Sequence, residues 1–453
     1  MKIAVSLVGL SIALSACTLT PKYERPSLPV AANWPVQSAA TADSQLKWKS
    51  LFIDPALQST IQLALDNNRD LRVAAFNIQK ARAQYGIQRA NLLPSLDGAA
   101  TGNKSHSDLT GDSESYTVNA SLAWELDLFG RIRSLNKAAL EDFFSTRESR
   151  NAVAISLIGE TADAWLNLAA DRDLLALTQQ TYQARKDAFD IAQGKAGIGT
   201  LNDLDLSQAR VLLEQARGDV AEAETAIDQD KAALTLLVGA TLPDNLLPTG
   251  LHAGLVADAL PVGMPSEVLL NRPDVLSAEH DLKAANADIG AARAAFFPSI
   301  SLTGLTGSAS GALSDLFKSG TNTWSYGARV NVPIFAGGAN VLGLRSAKIS
   351  RDIAVARYEQ SIQAAFSDVS QALAVRARIE ERLAAQQAAT EAAQRSYVLS
   401  KARYDNGADS YLTLLDAQRT LYASQQALIN LQTLKASNLA ALYRALGDDQ
   451  SLD

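Results

Sequence analysis

Helical spacing of apolar residues dominates this chain, and the places where it stops define the architecture. A helix is expected after Asp54-Pro55, a favourable start, with Leu57, Ile61 and Leu65 on one face. Another runs from Leu71 to about Leu92 and is ended by Pro94. The pattern then gives way to strand-like segments, Ser95 to Lys104 and Tyr116 to Asp127. A polar stretch with Gly111, Asp112 and Ser113 suits an exposed loop between them. Helical spacing resumes from about Ser134 to Lys195, roughly 60 residues, which makes a rod on the order of 90 Å. The chain turns at Gly197-Ile198-Gly199 and returns as a helix over 201–238. Gly239 follows, where a left-handed C-cap is expected.

The series then repeats. Asp70-Leu71 to Leu93-Pro94-Ser95 has a counterpart at Asp274-Val275 to Phe297-Pro298-Ser299, with Arg89-Ala90 matching Arg293-Ala294 at the same offset. Strands over Ile300 to Ser308 and Thr323 to Val332 flank a helical turn at Leu313 to Phe317. Leu128-Phe129 resembles Ile334-Phe335, and Gly197, Leu204, Gln208 and Gly239 correspond to Gly407, Leu414, Gln418 and Gly447. The second long helix covers about 342–404, turns at Asn406-Gly407, and returns over 409–446. Asp409 and Ser410 can cap the returning helix. Ile362, Phe366, Val369 and Leu373 follow coiled-coil spacing, as do Leu414, Leu421, Leu428 and Leu442 with Lys435 breaking the series.

The chain is thus a tandem duplication. Residues 71–239 form repeat 1 with a β-hairpin at 95–127, and residues 271–447 form repeat 2 with a β-hairpin at 299–333. A Pro-bearing segment over 240–270 joins them, and 448–453 is a short tail.

The N-terminus adds a location. Met1-Lys2 and the apolar run Ile3 to Leu14 read as a signal peptide over 1–16, too short to span a bilayer as a mature helix. Leu14-Ser15-Ala16-Cys17 resembles the bacterial lipobox, and Cys17 is the single cysteine. Cys17 is therefore expected to carry a diacylglycerol and an N-acyl chain, and Thr18 after it favours the outer membrane. Residues 17–70 are an anchored tether, rich in Pro, Ala, Ser and Thr to about residue 45, followed by a short helical segment.

Composition narrows the function classes. The net charge is −7 over 453 residues, 20% of them charged, and no basic stripe favours nucleic acid. His106, His252 and His280 are scattered, so no metal site or cofactor is expected. No Gly-rich phosphate loop or nucleophile with a base points to an enzyme. Tyr116, Trp124, Trp324 and Tyr326 lie in or near the strands, as in aromatic girdles at a membrane interface. Four strands cannot close a barrel, and open edges are not tolerated in lipid. Three chains would supply twelve.

Three long motifs carry a resemblance: Trp124 to Arg131 (WELDLFGR), Ile289 to Leu302 (IGAARAAFFPSISL) and Tyr411 to Arg419 (YLTLLDAQR). With the lipobox they are similar to the TolC-type outer membrane factors, in the OprM-like lipoprotein branch, over nearly the whole chain. The resemblance implies a mixed, mainly α protomer of a homotrimer. Its barrel would have twelve transmembrane β-strands, four per chain, and continue into a periplasmic barrel of twelve helices with an equatorial domain. It implies the exit duct of a tripartite multidrug efflux pump, with a periplasmic adaptor and an inner-membrane transporter of the resistance-nodulation-division class as partners. Leu412 and Asp416, four apart on one helix face, would form the gate constriction. Arg403, Tyr404, Asp409, Arg419, Asp203 and Asp205 would supply the latch, and Gly197, Gly199, Leu204, Gly407 and Leu414 mark the tips where the adaptor docks. A duct for type I protein secretion, a metal-efflux duct and a coiled-coil scaffold lipoprotein without a pore are the alternatives.

Overall fold

The computed structural model describes residues 18–35, 47–252, 254–257, 266–449 and 452. Cys17 and the signal segment lie outside these. In order, the chain forms α1 (Trp48–Leu51), α2 (Pro55–Asn67), α3 (Arg69–Ala90), β1 (Ser95–Ser107), β2 (Gly111–Leu126), α4 (Arg131–Gly197) and α5 (Asp203–Val238). Two 3-10 turns, Asp244–Leu246 and Ser266–Asn271, precede α6 (Pro273–Ala294), β3 (Ser299–Ser310), β4 (Asn322–Asn331), α7 (Ala339–Asp405) and α8 (Tyr411–Leu446). Both long helices, α4 and α7, have 67 residues.

The helix ends follow local chemistry. Asp54 caps α2 by accepting from the amides of Ala56 and Leu57 at 2.8 and 2.9 Å. Asn68 links α2 to α3, accepting from the Leu71 amide and donating to the Leu237 carbonyl. Gly239 and Gly447 end α5 and α8 with φ of 70° and 65°. At Gly239 a Cβ would also fall 2.6 Å from the Asn67 carbonyl oxygen, so glycine is needed there on both counts.

Contacts divide the chain into two compact units. The first comprises Met1–Ser27, Phe76–Glu148 and Leu276–Ser361; the second comprises Leu28–Ala75, Ser149–Val275 and Ile362–Asp453. The first unit holds a four-stranded antiparallel sheet in the order β1-β2-β3-β4, with β1 and β4 at its edges. Its β1–β2 hairpin is longer than expected: Asp112 and Ser113 pair with His106 and Ser105 instead of forming a loop. Cross-strand polar contacts explain this, with Lys104 Nζ 2.7 Å from Glu114 and His106 Nδ1 2.6 Å from Asp112.

The first unit also holds residues 18–27, which lie as a strap along α6 where a free tether was expected. The Leu19 and Pro21 carbonyls accept from Arg293 and Asn286. Glu279, 2% exposed, receives Tyr23 Oη at 2.9 Å and the Arg25 guanidinium at 2.7 and 2.9 Å. Burial raises the Glu279 carboxyl, but the hydrogen bonds from Arg25 and Tyr23 outweigh it and hold the group below the usual carboxylate range. Gly290 faces Thr20 and Ser134 with no room for a Cβ, which lets the strap lie close.

The second unit is built on two antiparallel helical hairpins, the α4–α5 and α7–α8 segments. Ile362, Val369 and Leu373 are buried, and Phe366 stacks on Trp34 at 4.8 Å. Leu414, Leu421 and Leu442 are buried, while Leu428 is half-buried. Asp449 closes the far end of α8, accepting from Tyr443 Oη at 2.9 Å and the Trp48 amide at 3.0 Å.

Candidate functional site

Two places carry the chemistry, one in each unit. In the sheet, directly paired residues share a face, so the register sorts the side chains. One face carries Leu96, Val118, Leu122, Ile300, Leu302 and Val330. The other carries Asp97, Thr101, Asn119, Ser121, Ser301, Thr303 and Arg329. This alternation of apolar and polar is the dyad pattern of a membrane-spanning strand with one side to lipid and one to a lumen. Tyr116, Trp124, Trp324 and Tyr326 all fall on the apolar face.

The apolar band runs along β2 from Tyr116 to Leu126, whose row holds Ile300 and Val330, with Trp124 one row inside that end. These ends are ten positions apart on β2, about 34 Å along a strand, or about 26 Å in height at the roughly 40° tilt of such barrels, whose apolar band is about 25 Å tall. Beyond Tyr116 the same face turns ionic at Glu114 and Lys104, and the Tyr116 hydroxyl donates to Glu114 at 3.3 Å. At the other end Trp124 Nε1 donates to the Leu92 carbonyl at 3.0 Å. Trp324 and Tyr326 stack on each other with 5.9 Å between centroids, in rows between those two.

The second site is formed by the two hairpin tips. Both turns use glycine in the left-handed region, Gly199 at φ +75° and Gly407 at φ +72°. Gly197 is the last residue of α4. Asn202 caps α5 by accepting from the Asp205 amide, and Ser410 caps α8 by accepting from the Thr413 amide. Asp409 was expected to share that role but turns to Arg403, meeting its Nε at 2.6 Å and Nη2 at 2.9 Å. This bidentate bond holds the Asp409 carboxyl below its usual range and stiffens the turn.

The tips meet through an apolar cluster of Ala192, Ala209, Leu212, Tyr411, Leu414 and Leu415, with Leu206 and Tyr404 packed against it. Leu414 is 5% exposed inside this cluster, so its expected place among the docking residues is corrected: hairpin-to-hairpin packing has taken it. Leu204, at 66%, remains on the surface. Tyr404 and Tyr411 lie 5.4 Å apart, and Lys195 Nζ sits 5.4 Å from the Tyr404 ring centroid. Burial, then the Asp205 and Asp405 charges, raises the Tyr404 phenol, and burial pushes Tyr411 up to about 12. Both phenols therefore stay protonated and able to donate. Tyr411 and Lys195 belong to this site although their side chains were not singled out in the sequence; aromatic residues on both sides of the Asn406-Gly407 turn were the available signal.

Leu412 and Asp416 do lie on one exposed face of α8. The Leu412 side chain is 64% exposed, although large and apolar, and Asp416 carries Arg419 at 3.5 Å. The Asp205 charge helps to raise both tyrosine phenols. Asp203 sits exposed in the first turn of α5.

A sheet with a lipid-type face and a polar face, on a chain that continues into paired 67-residue helices, defines an outer-membrane channel protein. The family model described as "Outer membrane efflux protein" matches residues 60–240 and again 264–448, one match to each repeat. The solvent efflux pump outer membrane protein SrpC of Pseudomonas putida is 44% identical, with 97% of each chain covered. The outer membrane protein OprJ of Pseudomonas aeruginosa is 41% identical, over 98% of this chain and 95% of its own. The open-state structure of the Neisseria gonorrhoeae MtrE outer membrane channel superposes with a TM-score of 0.86 at 38% identity, covering 95% of this chain and 98% of that one. This chain belongs to the outer membrane efflux protein family.

Proposed function

We propose that three copies of this chain close their sheets into one twelve-stranded barrel and their long helices into one tube. The assembly is the passive exit duct of a tripartite efflux pump. The observation that carries this reading is the four-stranded sheet, apolar on one face and polar on the other, with β1 and β4 left as edges. Such edges are tolerated in lipid only when other strands pair with them. A polar face of serine, threonine and asparagine suits a water-filled lumen for cargo of mixed chemistry.

The partners follow from that place in the cell. A periplasmic adaptor docks on the tips around Gly197, Gly199, Leu204 and Gly407, and an inner-membrane transporter of the resistance-nodulation-division class supplies the energy. Leu412 and Asp416 line the constriction, with Arg403, Tyr404, Asp409, Arg419, Asp203 and Asp205 as polar links around it. SrpC is named for solvents, and small apolar molecules, drugs among them, are the cargo proposed here. No catalytic step is assigned to the chain.

The duct is tested by single-channel recording of detergent-extracted protein together with its migration before and after boiling. A heat-sensitive oligomer that conducts supports the reading, and a species that forms no pore sinks it. The anchor is tested separately. Cys17→Ser should abolish labelling by fatty acid and reduce recovery in the outer-membrane fraction; full recovery with labelling intact would show that the lipid sits elsewhere.

A further inference from the structure

We propose that Tyr422, Asp219 and Arg185 form a fixed tie between the two hairpins, and that channel opening is confined to the segments on the tip side of it. The proposal rests on the gate reading above and adds the point from which the gate bends. Arg185 on α4 is 7% exposed, and its Nη1 donates to the Leu212 carbonyl of α5 at 3.1 Å. A guanidinium so far from water needs compensation. It finds the face of the Tyr422 ring at 5.4 Å and the nearby charge of Asp219. The Tyr422 hydroxyl in turn donates to Asp219 Oδ2 at 3.1 Å. A single residue of the α7–α8 hairpin thus engages both a buried guanidinium and a half-buried carboxylate of the α4–α5 hairpin.

The opposite side of α8 is pinned at the same level. Ser424 lies about 200° around the helix from Tyr422. Gln386 of α7 donates to the Ser424 carbonyl and hydroxyl, both at 3.0 Å, and Thr390 bonds to the same hydroxyl at 2.9 Å. At this level α8 is therefore fastened to α7 on one side and to the other hairpin on the other. Among the described residues, the Tyr422–Asp219 bond is the hydrogen-bonded tie between the hairpins nearest the tips. Towards the tips the hairpins meet through the apolar cluster and ring contacts. Apolar surfaces can slide with their contacts largely kept, whereas a charge-assisted hydrogen bond is directional. Bending is therefore confined below the tie.

Tyr422→Phe keeps the ring over Arg185 and the packing, and removes only the hydroxyl donor. Open arrangements that bend beyond the tie must break this bond; without it they become about tenfold more populated, by the worth of one hydrogen bond to a charged group, and resting conductance in planar bilayers should rise accordingly. The oligomer's heat stability on gels should be unchanged, which separates this effect from misfolding. Asp219→Asn should shift conductance in the same direction. A Tyr422→Phe channel as silent as the wild type, beside a conducting Leu412→Ala channel, overturns the tie and leaves the gate standing. If neither variant conducts more than wild type, both fall.

Discussion

Leu412→Ala channels in planar bilayers are expected to conduct about tenfold more at rest than the wild type, the change produced by losing roughly 1.4 kcal/mol of closed-state preference. The reason lies in an oddity of the single chain. Leu412 is a large apolar side chain left 64% exposed on the first turn of α8, while Leu414 and Leu415 beside it are buried. An apolar side chain repeated around an axis forms a constriction that both narrows and dewets the passage. Asp416, one turn further on, would make a ring of carboxylates, and such rings favour cations. Asp416→Ala should therefore lower the cation-to-anion permeability ratio in the same recordings. The two variants read different properties of two adjacent rings. Unchanged resting conductance in the first and unchanged ion preference in the second would place the constriction elsewhere on the chain.

How far the sequence reveals this arrangement depends on how local each feature is. The helix stops at Gly239 and Gly447, the cap at Asp54 and the exits at Pro94 and Pro298 are set by neighbouring residues, so they can be read directly. The duplication is also legible, because paired blocks recur in the same order with only small insertions between them, and the family model matches once per repeat. The long-range pairings are not. Gly111 to Ser113 look like a loop until Lys104 and His106 are seen to bind Glu114 and Asp112 across the ladder. Leu414 falls in a seam series on its own helix, but that Ala192, Ala209 and Leu212 of the first hairpin bury it at the tip cannot be read from spacing. Asp409 is as good a cap as Ser410 by residue type, but the bidentate Arg403 was six positions back across a turn. The strap over residues 18–27 has the composition of a free tether. Its fixed course depends on Glu279, Asn286 and Arg293, more than 250 positions away.

The sheet yields the sharpest contrast between adjacent positions. Leu122→Arg should cripple recovery of the protein from the outer membrane, whereas Ser121→Arg, the preceding residue, should be far better tolerated. Leu122 pairs with Leu96 and Gly304 near the middle of the apolar face, while Ser121 pairs with Asp97 and Leu305 on the polar face. An arginine facing the middle of a bilayer costs about 2–4 kcal/mol, falling to about 0–1 kcal/mol near the interfaces. Facing a water-filled lumen it meets no such penalty. If three chains share the barrel, the cost is incurred three times, and assembly rather than monomer folding is where it appears. Quantifying the heat-modifiable oligomer in membrane fractions of the two variants gives the comparison. Equal loss in both would mean that the two faces see the same environment, which no barrel in lipid permits. Equal tolerance would remove the apolar face from the membrane altogether and return the four strands to a soluble hairpin pair.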